Sequence, residues 1–481
     1  MDCAVLTTRT PEDRHTGLVR TRPVLVMLVP LLLALAACTT TIAGTPTNGD
    51  SVVSGEHGNG KGGVDPSFVH NSDGGDIDRL AATVVTDVQQ FWTETFPTAF
   101  DKQWTNLEGG FYSVDTSSAT AKAPPCARRA SDVEGNAFYC PTADIIAWDR
   151  AALLPVLKEK FGEAAVMFVL AHEMGHAVQR RTGLTVAKQQ SDPDEYPTIL
   201  IESQADCYAG SFVRWVSEGK AAHLKISKDR LDNAMEALVM FRDPVGTEQS
   251  DDGAHGDAFD RVSAFQDGYD QGVGLCKDMS VKNRTFTQRG FLSQDDAERG
   301  GNLDFEPLLT TITEDLGPSY NTIMTGLGKP WTAPTVRTST RTPDCTKADQ
   351  GPIAYCADTG QIDVATEGEL PDIHRDIGDF ATGTLVASRY SMAALKQLGK
   401  QLEGEDAQRA VLCLTGAYTG TLLTRRTGFT LSPGDLDEAI QVLLRYDYAG
   451  RDLAGKAVAT GFDRVSLFRQ GTLQGVKACG L

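Results

Sequence analysis

Basic charge is scarce in this chain. Lys and Arg number 45 against 64 Asp and Glu, a net charge of −19. No basic footprint exists for a phosphate backbone, which argues against a nucleic-acid partner. Long apolar runs are equally scarce: a single one, Pro23 to Ala37, sits near the amino end, so a polytopic membrane protein is excluded. Ten cysteines are too few for a miniature disulfide scaffold but many for a reduced cytosolic protein. With 41% hydrophobic and 23% charged residues, 47 Gly and 21 Pro, collagen, coiled coil and wholesale disorder are excluded. A globular chain of 481 residues suggests about three domains.

The one apolar run follows Arg14, Arg20 and Arg22 and ends at Leu35-Ala36-Ala37-Cys38 before polar Thr39. A positive start, a short apolar core and small residues before a cleavage point describe a secretory signal over residues 1–37. The run is shorter than the roughly 20 apolar residues a bilayer span needs, and Pro30 interrupts it. The Leu-Ala-Ala-Cys ending resembles a bacterial lipobox, which implies cleavage before Cys38 and acylation of that cysteine, with palmitate-type chains as a membrane anchor. The expected location is the outer face of the cell membrane. Residues 38–75, rich in Thr, Gly, Ser and Asn, read as a flexible tether. With Cys3 removed and Cys38 acylated, eight cysteines remain, an even number that predicts four disulfides in an oxidising compartment.

The remainder reads as one unit written twice. Phe138-Tyr139-Cys140 is matched by Ala354-Tyr355-Cys356, and at the same offset Gly162, Ala171, Ala177 and Gly183 match Gly378, Ala387, Ala393 and Gly399. Cys207 and Gly210 match Cys413 and Gly416; Leu231-Asp232 matches Leu436-Asp437. The run Phe259-Asp260-Arg261-Val262-Ser263 recurs unchanged from Phe462 to Ser466, and Cys276 matches Cys479. The expected organisation is a domain at 76–277, a polar linker at 278–301 and a second copy at 302–481. If both copies share a fold, each carries equivalent disulfides. The simplest pairing joins Cys126 with Cys140, Cys207 with Cys276, Cys345 with Cys356 and Cys413 with Cys479; cross-pairing of matched cysteines stays open.

Each copy reads as α+β and mainly helical. Ile77, Leu80, Val84, Val88, Phe91 and Trp92 follow the helical period. Residues 111–114 and 138–148 are the strand candidates. Helices are expected at about 149–160, 163–181, 198–217, 228–242 and 257–274, with ends uncertain by roughly 2–4 residues.

The helix at 163–181 contains His172-Glu173-Met174-Gly175-His176. Histidines at i and i+4 project from one face and can hold one metal ion, with Glu173 in reach of a water on it. The preceding Val166 to Ala171 is strongly apolar, so the helix is expected to be buried, where unpaired imidazoles are costly. A catalytic zinc site needs a third protein ligand. Glu202, on the next predicted helix, supplies it, while Asp206 one turn on accepts a proton from a ligand histidine.

These residues resemble the bacterial neutral zinc metallopeptidase family. The resemblance is carried by His172 to Gln179, by Glu202-Ser203-Gln204-Ala205-Asp206-Cys207-Tyr208-Ala209-Gly210, by Phe138 to Pro141, and by His255-Gly256 followed by Arg261. It covers most of residues 76–277. It implies a zincin-like fold, His172, His176 and Glu202 as ligands to one Zn2+ per chain, and Glu173 as base. Ala177 and Ser203 stand where the family often has other residues, outside the metal set itself. His255 is the candidate donor to a developing oxyanion, with Tyr269 as a second.

In the second copy His172 becomes Ser388, Glu173 becomes Arg389, His176 becomes Met392, Glu202 becomes Gln408, Asp206 becomes Leu412 and His255 becomes Val458. Glycines, cysteines and apolar positions persist while every zinc and acid–base group is gone. The sequence therefore predicts a zincin-like domain duplicated in tandem, the second copy degenerate and metal-free, with 302–481 available to a partner protein. The expected activity is hydrolysis of a peptide or protein substrate in the cell envelope. A binding scaffold that keeps its zinc, and a zinc hydrolase of cell-wall amides, are the alternatives.

Overall fold

A computed structural model describes residues 63–481 apart from 252, 346 and 347. The expected signal segment, Cys38 and most of the tether lie outside the described residues. Helix α1 (Asp76–Phe100) buries Leu80, Val84, Val88, Phe91, Trp92 and Phe96 along one stripe, as its period requires. Strand β1 (Gly110–Val114), strand β2 (Ala137–Cys140) and strand β3 (Ile145–Asp149) form a sheet in the order β1-β3-β2. Strand β1 runs parallel to β3 and β2 antiparallel to it. The segment expected as one strand at 138–148 is thus a hairpin. Pro141 denies the chain an N–H donor and Asp144 takes a left-handed conformation (φ 51), which together turn it.

Helices α2 (Leu153–Phe161), α3 (Glu163–Thr182), α4 (Val186–Ser191), α5 (Thr198–Ser217), α6 (Leu231–Met240), α7 (Ala258–Gln271) and α8 (Val273–Asp278) complete the first half. The helix expected at 257–274 breaks at Gly272, whose φ of 78 suits glycine. Helices α5 and α7 cross in near backbone contact: a Cβ on Gly268 would fall 1.8 Å from the Cys207 carbonyl oxygen, and one on Gly210 2.0 Å from that of Phe265.

The second half follows helix α9 (Gln294–Glu298) with α10 (Phe305–Gly326), β4 (Thr335–Ser339), β5 (Ile353–Cys356), β6 (Gln361–Ala365), α11 (Glu369–Asp376), α12 (Asp379–Gln397), α13 (Glu405–Leu423), α14 (Asp435–Arg445) and α15 (Gly461–Gln474). Its sheet has the order β4-β6-β5, again one parallel and one antiparallel pair. Gly416 and Gly471 let α13 and α15 cross as α5 and α7 do, each Cβ position 1.9 Å from a facing carbonyl oxygen. The four disulfides are Cys126–Cys140, Cys207–Cys276, Cys345–Cys356 and Cys413–Cys479, with sequence separations of 14, 69, 11 and 66.

Two connecting segments are more ordered than their composition suggests. Ahead of α1, within the expected tether, Val69 is 4% exposed. There the Asp78 carboxylate accepts from Ser72 Oγ and from the Asp73 N–H, both at 2.8 Å. Within the linker at 278–301, the N–H groups of Thr287 and Gln288 donate to Asp260 at 2.9 and 3.1 Å. In both places a buried carboxylate on a helix collects backbone donors that a polar segment would otherwise leave to water. Among the described residues no helix is long and apolar enough to cross a membrane.

Candidate active site

Helices α3 and α5 pack so closely that a Cβ on Gly175 would lie 2.9 Å from the Ala205 Cα. The glycine inside the His172–His176 motif therefore sets how near Glu202 comes to the two imidazoles. Glu202 Oε2 lies 3.2 Å from His172 Nε2 and 3.5 Å from His176 Nε2. One such atom from each of the three residues falls within 4.8 Å of the others. Both rings are held from behind. His172 Nδ1 is 2.7 Å from Asp206 Oδ1, and a carboxylate only accepts, so Nδ1 carries the hydrogen. His176 Nδ1 is 3.0 Å from Gln179 Oε1, likewise an acceptor. With each Nδ1 engaged by an acceptor, Nε2 is the nitrogen that faces the Glu202 carboxylate, and it is the one free to ligate a metal once its proton is given up.

The supporting groups are themselves fixed. Arg261, on α7, donates from Nε to Asp206 Oδ2 and from Nη2 to Oδ1, both at 3.0 Å, and from Nη1 to the Phe241 carbonyl at 2.7 Å. Gln179 Nε2 donates to the Ile201 carbonyl at 2.7 Å. Sequence reasoning assigned no role to Gln179 and gave Arg261 only as a motif residue. The spacing of Gln179 three residues after His176, on the same helical face, was the available signal.

Glu173 sits beside the histidines without touching them; its Oε2 accepts the Tyr139 N–H from β2 at 2.8 Å. Burial pushes the Glu173 carboxyl above its ordinary range, partly offset by the nearby histidines. Burial opposes charge on His172, yet Asp206 and Glu202 outweigh it and raise the imidazole to about 10. Burial also works against ionised Glu202, but the two histidines hold it well below the usual carboxylate range.

His255 lies on the loop before α7. Its Nδ1 is 3.4 Å from Asp243 Oδ1, and its N–H and that of Gly256 donate to Asp243 Oδ2 at 2.7 and 2.9 Å. The Asp243 hydrogen bond raises its pKa against partial burial, and the Glu202 charge adds to the rise. Tyr269 is not part of this group. Its hydroxyl is 3.1 Å from Ser217 Oγ at the far end of α5, fifteen residues from Glu202 and therefore roughly 22 Å along the helix. Periodicity could place Tyr269 on a helix but not say which end of α5 it meets.

The residues that the sequence aligns with these in the second half make other contacts. The Arg389 side chain is 1% exposed. Its Nη1 donates to Gln350 Oε1 at 3.0 Å and to the Arg451 carbonyl at 3.1 Å, and its Nη2 to the Tyr448 carbonyl. Gln408 Nε2 donates to Asp452 Oδ2 at 2.8 Å.

Residues 32–278 match the family described as "Putative neutral zinc metallopeptidase". The chain is 30% identical over 162 residues to an uncharacterized protein of Mycobacterium tuberculosis, Rv2575, covering 30% of this chain and 55% of that one. It is 28% identical over 150 residues to the uncharacterized Escherichia coli protein YpfJ, covering 28% of this chain and 50% of that one. The chain thus spans about half the length of the curated relatives it matches. No solved structure matches it.

Proposed function

Because the chain belongs to the neutral zinc metallopeptidase family, we propose that it is a zinc-dependent peptidase whose site is built from His172, His176, Glu202 and Glu173. The observation that carries this reading is the convergence of two imidazole Nε2 atoms and one carboxylate, each Nδ1 held from behind. That donor set fits zinc, whose fourth position three protein ligands leave to a water. When bound, zinc supplies a Lewis acid and a water of lowered pKa. Glu173, with one oxygen pinned by the Tyr139 N–H, takes the proton of the attacking water and passes it to the leaving amine. His255, its proton retained through Asp243, donates to the developing oxyanion. Asp206 and Arg261 keep His172 in its ligating tautomer.

The second half is, in this reading, a degenerate copy of the first. The shared strand order, the matched crossing glycines and the equivalent disulfides support the duplication. Its buried Arg389 guanidinium stands at the place of Glu173, so that half takes no zinc. The basic start, short apolar run and Leu-Ala-Ala-Cys ending of residues 1–38 support export and lipid anchoring, and with them a peptide or protein of the cell envelope as substrate.

The test compares the purified chain with its Glu173→Gln variant for zinc content and for cleavage of a peptide pool. One zinc in both, with cleavage lost only in the variant, is expected. Zinc in both and no Glu173-dependent cleavage would instead favour a zinc-bearing scaffold.

A further inference from the structure

Away from the His172 site, three carboxylates gather where two helices begin. Asp379 opens α12, Asp435 opens α14, and Glu438 follows one turn along α14. They are 4%, 3% and 5% exposed, and one oxygen of each lies within 4.8 Å of one oxygen of the other two. Half of their acceptor atoms are accounted for. Asp379 Oδ2 takes the Leu303 N–H at 2.7 Å, Asp435 Oδ2 the Ser432 N–H at 2.8 Å and Glu438 Oε2 the Phe380 N–H at 2.8 Å. Asp379 Oδ1 and Asp435 Oδ1 are buried and have no hydrogen-bond partner.

Counter-charge is short. Arg289, Arg299 and Arg242 act on the cluster only through space, and among the described residues no basic side chain forms an ion pair with any of the three. The two helix N-termini supply about half a positive charge each. With all three ionised, about two negative charges would remain in a buried place, where unpaired charge is costly. Burial together with the neighbouring carboxylates pushes all three carboxyls up. The matching positions of the first half are Glu163, Arg230 and Asn233, a set that includes its own cation. The second half has acids in place of that base and that amide.

We propose that Asp379, Asp435 and Glu438 form a binding site for a hard divalent cation, calcium by preference. All donors are oxygens, without the nitrogen or sulfur that would favour zinc or copper. The site is nearly dry, and magnesium gives up its waters reluctantly, whereas calcium accepts several carboxylates in irregular geometry. The ion ties the start of α12 to α14. It also fixes the helix whose Asp437, between two of the ligands, contacts the first half through Phe259 and Arg242. The site is independent of the zinc reading.

The test uses the full chain, stripped with a chelator, reloaded with one zinc, and titrated with calcium by calorimetry and with terbium by luminescence. One calcium per chain is expected, with Tm raised about 5 °C at saturating calcium. Asp435→Asn and Glu438→Gln are each expected to abolish binding and the Tm shift while one zinc per chain is retained. The proposal is overturned if the wild-type chain takes up no calcium and its Tm is indifferent to it. It also fails if calcium uptake survives both variants, or disappears in His176→Ala. A cluster that holds protons instead shows itself when Asp435→Asn exceeds wild type in Tm with and without calcium. The wild-type titration decides the matter even where a variant does not fold.

Discussion

The Asp437 carboxylate on α14 accepts the Phe259 N–H at the start of α7, at 3.1 Å. The relationship has a mirror image: Asp232 on α6 accepts the Phe462 N–H at the start of α15, at 2.7 Å. Each half thus caps a helix of the other, and the two aspartates occupy positions that the sequence aligns. The capped helix α7 carries Arg261, which holds Asp206 behind His172. Asp437 also pairs with Arg242 at 3.0 Å, next to the Asp243 that holds His255.

Asp437→Ala is therefore expected to weaken the first half from the second. Loss of the buried acceptor should cost roughly 1–3 kcal/mol in urea unfolding and lower peptidase activity. Asp437→Asn, which keeps an acceptor oxygen, should recover part of both. Full activity in Asp437→Ala would show that the cap has no bearing on the site.

Asp206→Asn should lower zinc affinity about 10- to 100-fold, the usual effect of removing the partner behind a ligand histidine. The Arg261 guanidinium would also lose its charged partner. A competition titration against a chromophoric chelator measures this; unchanged affinity would leave Asp206 a purely structural residue.

His176→Ala should abolish zinc binding, while Met392→Ala, its counterpart in α12, should leave one zinc per chain. Metal analysis after gel filtration separates the two. Loss of zinc in Met392→Ala with the fold intact would contradict a metal-free second half.

Burial raises Asp257 well above the carboxylate range, with Asp260 and Asp437 adding repulsion, and pushes Asp260 up to about 6. A carboxyl whose folded pKa is raised contributes stability that is complete below the unfolded pKa of about 4. That contribution is lost as pH rises through the folded value. Asp257→Asn retains an acceptor for the Asp260 N–H and removes one charge. Its Tm gain over wild type should be larger at pH 7.5 than at pH 5, as a pair of thermal melts would record; an equal gain at both rules out the charge as the cause.

The Cys207–Cys276 bridge joins α5 to α8 across 69 residues, one position from Asp206. Its removal by paired Cys→Ala substitution should cost roughly 2–5 kcal/mol, read from unfolding midpoints. An unshifted midpoint would mean that packing alone sets the α5–α8 geometry.

Much of this protein was legible in its residues because the relevant rules are local. Helical spacing put His172 and His176 on one face of α3, and apolar periods revealed α1 and located α3 and α5 to within a few residues. The matched segments made the four pairs the structure contains the simplest pairing, with cross-pairing left for the structure to decide. What lay beyond sequence depended on atoms distant in the chain. The far placement of Tyr269 and the gathering of Thr287 and Gln288 by Asp260 each needed a partner that no pattern names. The Asp379–Asp435–Glu438 cluster and the reciprocal Asp232 and Asp437 caps lie furthest from reach. Periodicity records which face of a helix is apolar, whereas tertiary packing decides which helix ends meet and what charge is left between them.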